Sequence, residues 1–497
     1  MNLMYRSTRN SDNRVTASQA VLQGLSSDGG LFVPEAMPVL TKTLEELSKM
    51  DYREIAYEVM KLFLTDYTEE ELKDCINKAY DDKFDTAEIA PLKKVGQAYY
   101  LELFHGATIA FKDMALSILP HLLTKAAKKN EVNEEIVILT ATSGDTGKAA
   151  LAGFADVEGT KIIVFYPKDG VSSVQEKQMV TQKGDNTYVI GIDGNFDDAQ
   201  TGVKMMFNNT DLAESLKKSG YLFSSANSIN IGRLVPQIVY YVHSYVSLFK
   251  TNQISSGERI NFVVPTGNFG NILAAYYAKC IGIPINKLIC ASNDNKVLFD
   301  FFETGCYDRN REFILTESPS MDILVSSNLE RLIYHIADND SEKTAQLMKA
   351  LSNQGVYEIT DSMKEKLRDF IGGWASETET REAIKRVYEE NQYVLDTHTA
   401  VAASVYHGYA DHTEDTSKAV IVSTASPYKF ANSVLAALSI DEIPAEDYDQ
   451  ALVLKEVSKT DIPLAVEEIR TAPVLHNTVC ETARMQEMVE GILHITK

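Results

Sequence analysis

Basic residues are scarce in this chain: 48 Lys and Arg stand against 70 Asp and Glu, a formal charge of -22 over 497 residues. So acidic a surface argues against nucleic acid or an anionic membrane as a partner, because both are held by clustered cations. Any anionic ligand must therefore be met by a local pocket of donors. Cysteine is sparse as well. Cys75, Cys280, Cys290, Cys306 and Cys480 are far apart in the sequence and form no C-x-x-C or Cys/His cluster. They predict neither a zinc site nor a disulfide framework, so no metal is expected and a reducing compartment fits. No stretch approaches ~18 uninterrupted apolar residues, and MNLMYRSTRNSDN lacks the apolar core of a signal peptide. A cytoplasmic protein without a membrane span is the expectation.

What is present is ordinary for a globular protein, with 44% hydrophobic and 24% charged residues and length enough for two or three domains. Residues 1–95 read as a mainly helical domain, since TLEELSKMDYREIAYEVMKLFL and TEEELKDCINKAY place apolar residues at three-to-four spacing and Thr68 suits the N-cap of the second. From about residue 96 the texture changes. EIVILTA, TKIIVFYP, NTYVIGID, RINFVVP, NKLICAS and KAVIVSTA are short β-rich runs without clean alternation, each followed by a small-residue turn and a helical stretch. That pattern predicts strands buried on both faces of parallel sheets, in a doubly wound α/β core over 96–497. A smaller lobe is expected at about 135–225 and a helical insertion at about 300–395. No internal repeat or low-complexity segment is seen.

Ligands of such sheets bind beyond the carboxyl ends of the strands, so the loops there carry the argument. In ILTATSGDTGKAALAGFA a strand runs through Ser143, Gly144, Asp145, Thr146 and Gly147 into an Ala-rich helix, a ready anion site. A nucleotide P-loop is the competing reading, but Thr142 and Ala149 stand where that motif needs Gly and Ser or Thr. In NFVVPTGNFGNILAAYYA, Gly267, Asn268, Phe269, Gly270 and Asn271 join a strand to a helix and can turn backbone amides toward a phosphate. An ordinary strand-to-helix turn is the alternative there. In KAVIVSTASPYKFANSV, Thr424 offers a hydroxyl at a strand end, while Ser426 reads as a helix cap and Lys429 as a helix opener. Finally, FHGATIAFKDMALS sets Lys112 between Phe111 and Asp113 behind a Gly-containing turn; a surface helix start is the bland reading of that pair.

A lysine, two anion loops and a strand-end hydroxyl together suggest pyridoxal 5'-phosphate chemistry. The chain also resembles the threonine synthase family, of the longer-chain class, among the fold-type-II pyridoxal phosphate enzymes related to tryptophan synthase β. The likeness is carried in order by YRSTRN with GLSSDGGLFVPEAMP, then FHGATIAFKD, TATSGDTGKAA, GNFDDAQ, SSANSINIGR, PTGNFGN, DTHTAVA and STASPYKF. Cysteine synthase and threonine dehydratase, of the same fold class, lack the N-terminal signatures and rank second.

The resemblance implies conversion of O-phospho-L-homoserine and water to L-threonine and phosphate. It implies that Lys112 carries the cofactor as an imine, with Gly106 and Phe111 shaping its cleft, and that Gly267, Asn268, Phe269, Gly270 and Asn271 hold the cofactor phosphate. Thr424 would face the ring nitrogen. Ser143, Gly144, Asp145 and Thr146 would take the substrate carboxylate, and Arg233 in NSINIGR, with Ser143, Thr146 and Lys177 behind it, suits its phosphate, an arginine on a helix surface being the alternative reading. The chain departs from the family pattern at Ala107, Ser426 and Tyr428, the last two beside Thr424. A packed histidine at a helix start is the reading of His398, and a monomer, or else a homodimer, is expected. A non-catalytic binding protein is the hypothesis from another class; it would have no need of Lys112.

Overall fold

The structure is a computed structural model that describes residues 2–142, 144–171 and 173–495. Both helices that the periodicity predicts in the N-terminal region form, and Thr68 does cap the helix Glu69–Ala79 in a capping box with Glu71. Such a cap contributes about 1 kcal/mol. The apolar stripe of the helix Tyr52–Phe63 is buried, together with the long helix Ile231–Lys250, in the largest core cluster. The region also holds a small antiparallel sheet that the helical reading missed: β1 (Tyr5–Ser7) pairs with β2 (Arg14–Val15) and β3 (Phe32–Pro34). Its loops reach across to the core, where Arg9 forks onto both oxygens of Glu330 at 2.9 and 2.7 Å.

Beyond it the chain alternates between two sheets. β4 (Leu92–Val95) and β5 (Ala98–Glu102) open the larger one. β6 (Glu135–Ala141), β7 (Thr160–Pro167), β8 (Thr187–Asp193) and β9 (Tyr221–Ser224) build the smaller. β10 (Ile260–Pro265) and β11 (Ile285–Ser292) return to the larger, and β12 (Cys306–Asp308) pairs with β13 (Val356–Glu358) as a separate ribbon. β14 (Phe370–Trp374) and β15 (Ala419–Ser423) complete the large sheet, while β16 (Thr478–Glu481) joins the small one. The strand orders are β14-β11-β10-β15-β5-β4 and β16-β8-β7-β6-β9. All pairs are parallel except β4 with β5. This is the doubly wound α/β arrangement expected of the six apolar runs, each of which is a strand.

Two features differ from the sequence reading. The stretch 300–395 is not helical throughout, for it supplies the β12–β13 ribbon and the sheet strand β14. The small sheet is not confined to 135–225, because β16 adds to its β8 edge from near the C-terminus. Among the described residues, no helix is long and apolar enough to cross a membrane.

Candidate active site

The loops after β6, β10 and β15 open on one cavity of about 1550 Å³ between the two sheets, lined by Phe111, Lys112, Asp145, Thr146, Arg233, Gly267 to Asn271 and Thr424 among others. Gly144, with φ at 134°, caps the helix Asp145–Phe154 but is not among the lining residues. Ser143 lies outside the described residues.

Lys112 is placed by a turn with little freedom. Asp113 accepts from the Thr108 N–H at 2.8 Å and its hydroxyl at 2.6 Å, and a Cβ at residue 106 would stand 2.6 Å from that of Asp113, so glycine is required there. Phe111 N–H donates to the Thr424 carbonyl at 2.8 Å, and Ser426 N–H to that of Ile109 at 3.0 Å. The lysine turn and the strand-end loop are thus stitched together through their backbones. Ser426 is the cap expected of it, accepting from Tyr428 N–H.

The Lys112 ammonium faces Asp145 Oδ2 at 3.4 Å and the Ser320 hydroxyl at 3.1 Å. The other oxygen of Asp145 takes Lys429 Nζ and Gln175 Nε2, both at 3.0 Å. Burial pushes Lys112 below the usual lysine range; Asp145 opposes this, and the cations of Lys429 and Arg233 add to it. Burial acts to raise Asp145, but Lys429 and Lys112 overrule it and hold the carboxylate well below its ordinary value. Lys429 lies in the turn Pro427–Phe430 that opens the helix Ala431–Ala437, as its sequence context predicts, but its side chain points inward and is 1% exposed.

Arg233 is buried, donates to the Ala226 carbonyl at 2.9 Å, and has no carboxylate partner among the described residues. Its Nε lacks any acceptor, and burial pushes the guanidinium down to about 10. Lys112 and Lys429 thus share one acid while Arg233 has none among the described residues, which is the local donor pocket that an acidic chain needs for anions.

The Gly267–Asn271 loop ends at the N-terminus of the helix Gly270–Cys280. Left-handed backbone falls here on Phe269, at φ 64°, and on neither glycine. Such strain in a bulky residue persists only where surroundings enforce it. The loop is braced from outside: Asn328 donates to the Asn268 carbonyl through N–H at 3.1 Å and Nδ2 at 3.0 Å, and Ser326 to that of Gly267 at 2.6 Å. Asn271 Oδ1 takes the hydroxyls of Tyr240 and Tyr241, both at 2.6 Å, which fixes its amide and leaves Nδ2 without a partner. The first loop is partly spent, since Thr142 Oγ1 already accepts from Gly144 and Gly147 N–H at 3.0 and 2.9 Å. Thr142 thus closes upon the turn that a P-loop would leave open.

Three family profiles match in series: "Threonine synthase N terminus" over residues 4–80, "Pyridoxal-phosphate dependent enzyme" over 88–425 and "Threonine synthase, C-terminal" over 399–472. The chain is 34% identical over 467 residues to threonine synthase of Saccharomyces cerevisiae, covering 88% of this chain and 89% of that protein. The chain belongs to the threonine synthase family. It is also similar to the crystal structure of PLP-bound threonine synthase from Brucella melitensis, with a TM-score of 0.88 and 32% identity over all of both chains. It is 40% identical to Threonine synthase-like 1 of Homo sapiens over 488 residues, which are 95% of this chain but 63% of that protein's length.

Pyridoxal phosphate is the cofactor of this family. The residues present fit it, because an unpartnered Asn271 amide and a helix N-terminus await an anion, and a buried lysine of lowered basicity lines the same cavity.

Proposed function

We propose that this protein is a threonine synthase in activity, converting O-phospho-L-homoserine and water to L-threonine and phosphate, and so a carbon–oxygen lyase acting on a phosphate ester. The observation that carries the reading is a buried Lys112 facing a cavity in which Arg233 has no counter-ion. Gly267, Asn268, Phe269, Gly270 and Asn271 would hold the cofactor phosphate, Lys112 the aldehyde carbon, and Thr424 the ring nitrogen. When bound, pyridoxal 5'-phosphate supplies the electron sink for carbanion chemistry.

The chain's own groups do the rest. Lys112, favoured toward its neutral form by burial, is suited to take the Cα proton and to move protons at Cβ and Cγ. Arg233 would bind the phosphate that leaves Cγ, its planar fork matching phosphate oxygens, while the hydroxyl of water ends on Cβ. Asp145 cannot meet the substrate carboxylate through its own carboxylate, which is committed to two lysines. Among the described residues of its loop, the Asp145 backbone and Thr146 are open to that role. Thr424, an uncharged hydroxyl, does not enforce protonation of the ring nitrogen as an acid would, which tempers side reactions such as transamination.

The test is product analysis of the purified protein with O-phospho-L-homoserine and, separately, with threonine, serine, and O-acetylserine plus sulfide. Phosphate and threonine from the first alone support the reading. Pyruvate, 2-oxobutyrate or cysteine from the others would replace it with a dehydratase or cysteine synthase, and a colourless protein that takes up no cofactor would point to a binding protein.

A further inference from the structure

Ser320 stands where three parts of the site meet, and nothing in its sequence context marks it. Its backbone N–H donates to His398 Nε2 at 3.1 Å. Its carbonyl oxygen would be 2.5 Å from a Cβ on Gly267, so the Ser320 peptide rests against the glycine loop itself. Its hydroxyl is 3.1 Å from Lys112 Nζ and 3.1 Å from Asp145 Oδ2.

Those distances fix who donates. An ionised carboxylate only accepts and a hydroxyl has one proton, so the Ser320 proton belongs to Asp145 and its oxygen lone pair faces Lys112. A neutral lysine amine has two N–H groups and one lone pair. Ser320 Oγ and Asp145 Oδ2 are acceptors for the two N–H groups, which turns the lone pair away from both and toward the open cavity.

His398 is as firmly set. Asp396 Oδ1 lies 3.0 Å from Nδ1 and also accepts the His398 N–H at 2.9 Å, while its other oxygen takes the Thr399 N–H and hydroxyl. The proton therefore sits on Nδ1, leaving Nε2 as the acceptor that Ser320 N–H requires. The ring packs against Phe430 at 4.9 Å between centroids. The histidine at a helix start is thus packed, as the sequence suggests, and also holds the residue in contact with the lysine.

We propose that Ser320 aims the nitrogen lone pair of Lys112 into the cavity and that His398 is the positioning residue that holds Ser320 there. This rests on Lys112 being the cofactor-bearing lysine. The direct test is the rate at which the full-length protein, stripped of cofactor, captures added pyridoxal phosphate covalently, with borohydride quenching and peptide mapping of the modified lysine. Misdirection of a reacting atom costs up to about a hundredfold in rate, so S320A should capture about ten- to a hundredfold more slowly, with its melting temperature near that of the wild type. S320T keeps the hydroxyl and should recover most of the rate. H398F should slow capture as S320A does, H398Q should restore it through its amide oxygen, and S320A/H398F should be no slower than the slower single variant, because the two act through one contact.

Capture on Lys112 at the wild-type rate in S320A overturns the proposal. Multiplying effects in the double variant, or an H398Q as slow as H398F, overturn the part given to His398. Modification at another lysine removes both the proposal and the assignment of Lys112. Slow capture by S320A in a protein that does not turn over O-phospho-L-homoserine leaves the proposal standing and removes only the substrate.

Discussion

Replacing Gly270 by alanine separates two roles that a glycine loop can have. Gly270 begins the helix Gly270–Cys280 outside the left-handed region, and the nearest atom its Cβ would meet is Asn328 Nδ2 at 3.4 Å, an ordinary contact. The cofactor-free protein has room for that methyl group. Alanine is favoured over glycine by up to about 1 kcal/mol within helices, so the melting temperature of the cofactor-free variant should hold or rise. At Gly267 the same methyl would lie 2.5 Å from the Ser320 carbonyl oxygen, a backbone atom that cannot swing aside. Gly267→Ala should therefore destabilise the cofactor-free protein by about 1–3 kcal/mol, the cost of overpacking. If the cofactor phosphate rests on this loop, Gly270→Ala crowds the ligand alone. The same range of overpacking cost then becomes a Kd raised by about five- to a hundredfold. Thermal melting of both cofactor-free variants and fluorescence titration with pyridoxal phosphate give the four numbers needed. Wild-type affinity in Gly270→Ala would refute the phosphate placement; a Gly267→Ala that melts like the wild type would refute the clash.

Thr424→Val should leave cofactor bound with a loss of about 0.5–1.5 kcal/mol, one neutral hydrogen bond, whereas Thr424→Asp should lower the ratio of threonine to pyridoxamine phosphate formed during turnover; an unchanged ratio in an Asp variant that binds cofactor moves Thr424 away from the ring nitrogen. Arg233→Lys keeps the charge but loses the fork, so KM for O-phospho-L-homoserine should rise about tenfold or more, by the 1.5–3 kcal/mol of a charge-assisted bond, with cofactor affinity unchanged. A rise in the cofactor Kd alone would assign Arg233 to the cofactor. Burial acts to lower His105, but Asp85 at 2.6 Å and Glu102 at 3.0 Å outweigh it and raise the imidazole to about 9. A raised folded value gives stability that is full below about pH 6.5 and fades as pH climbs toward 9, so His105→Gln should cost about 1–3 kcal/mol at pH 6 and much less at pH 10 by denaturant melts.

The strands β6, β7, β8, β10, β11 and β15 were legible because each is an apolar run long enough to cross a sheet buried on two faces. Most of those that were missed are short or poor in side chains; β5, AYYLE, is neither, and was missed because it has no β-branched run although it is buried inside the large sheet. β2 has two residues, and β14 reads FIGGW, whose glycines argue against a strand. The structure supplies their reason: a Cβ on Gly373 would be 2.4 Å from Val405 Cγ1, so the helix Thr397–His412 packs too close for any side chain there. The lysine turn, the glycine loop, Asp145, Thr146 and Thr424 stand out from local grammar and Arg233 with the family resemblance, and the fold does bring them to one cavity. Lys429, Ser320 and Asn328 were not, because each works through a partner distant in sequence. No spacing rule announces that a lysine two residues past a proline will turn inward to an aspartate at the start of the helix Asp145–Phe154, which follows a strand of the other sheet.

The same residues explain how so acidic a protein keeps an anion site. A long-range field from a charge of -22 repels phosphate, and screening confines that repulsion to about 10 Å at 0.1 M salt. Within the cavity the distances are a few ångströms and the cations are buried, so local charge outweighs the distant field. Asp145 holds Lys112 and Lys429 in place and balances one positive charge, while Arg233 adds one that no carboxylate among the described residues balances. Burying a guanidinium without a counter-ion is costly, which is why such a group is uncommon in a core that serves stability alone. The cost is offset when an anion binds, since whatever binds only the folded state stabilises it. The uncompensated charge is therefore better understood as part of a binding site than as part of the scaffold. The bonds that fix Asn271 by its oxygen, leaving its amide nitrogen free, follow the same logic, and they come from Tyr240 and Tyr241 on the helix that carries Arg233.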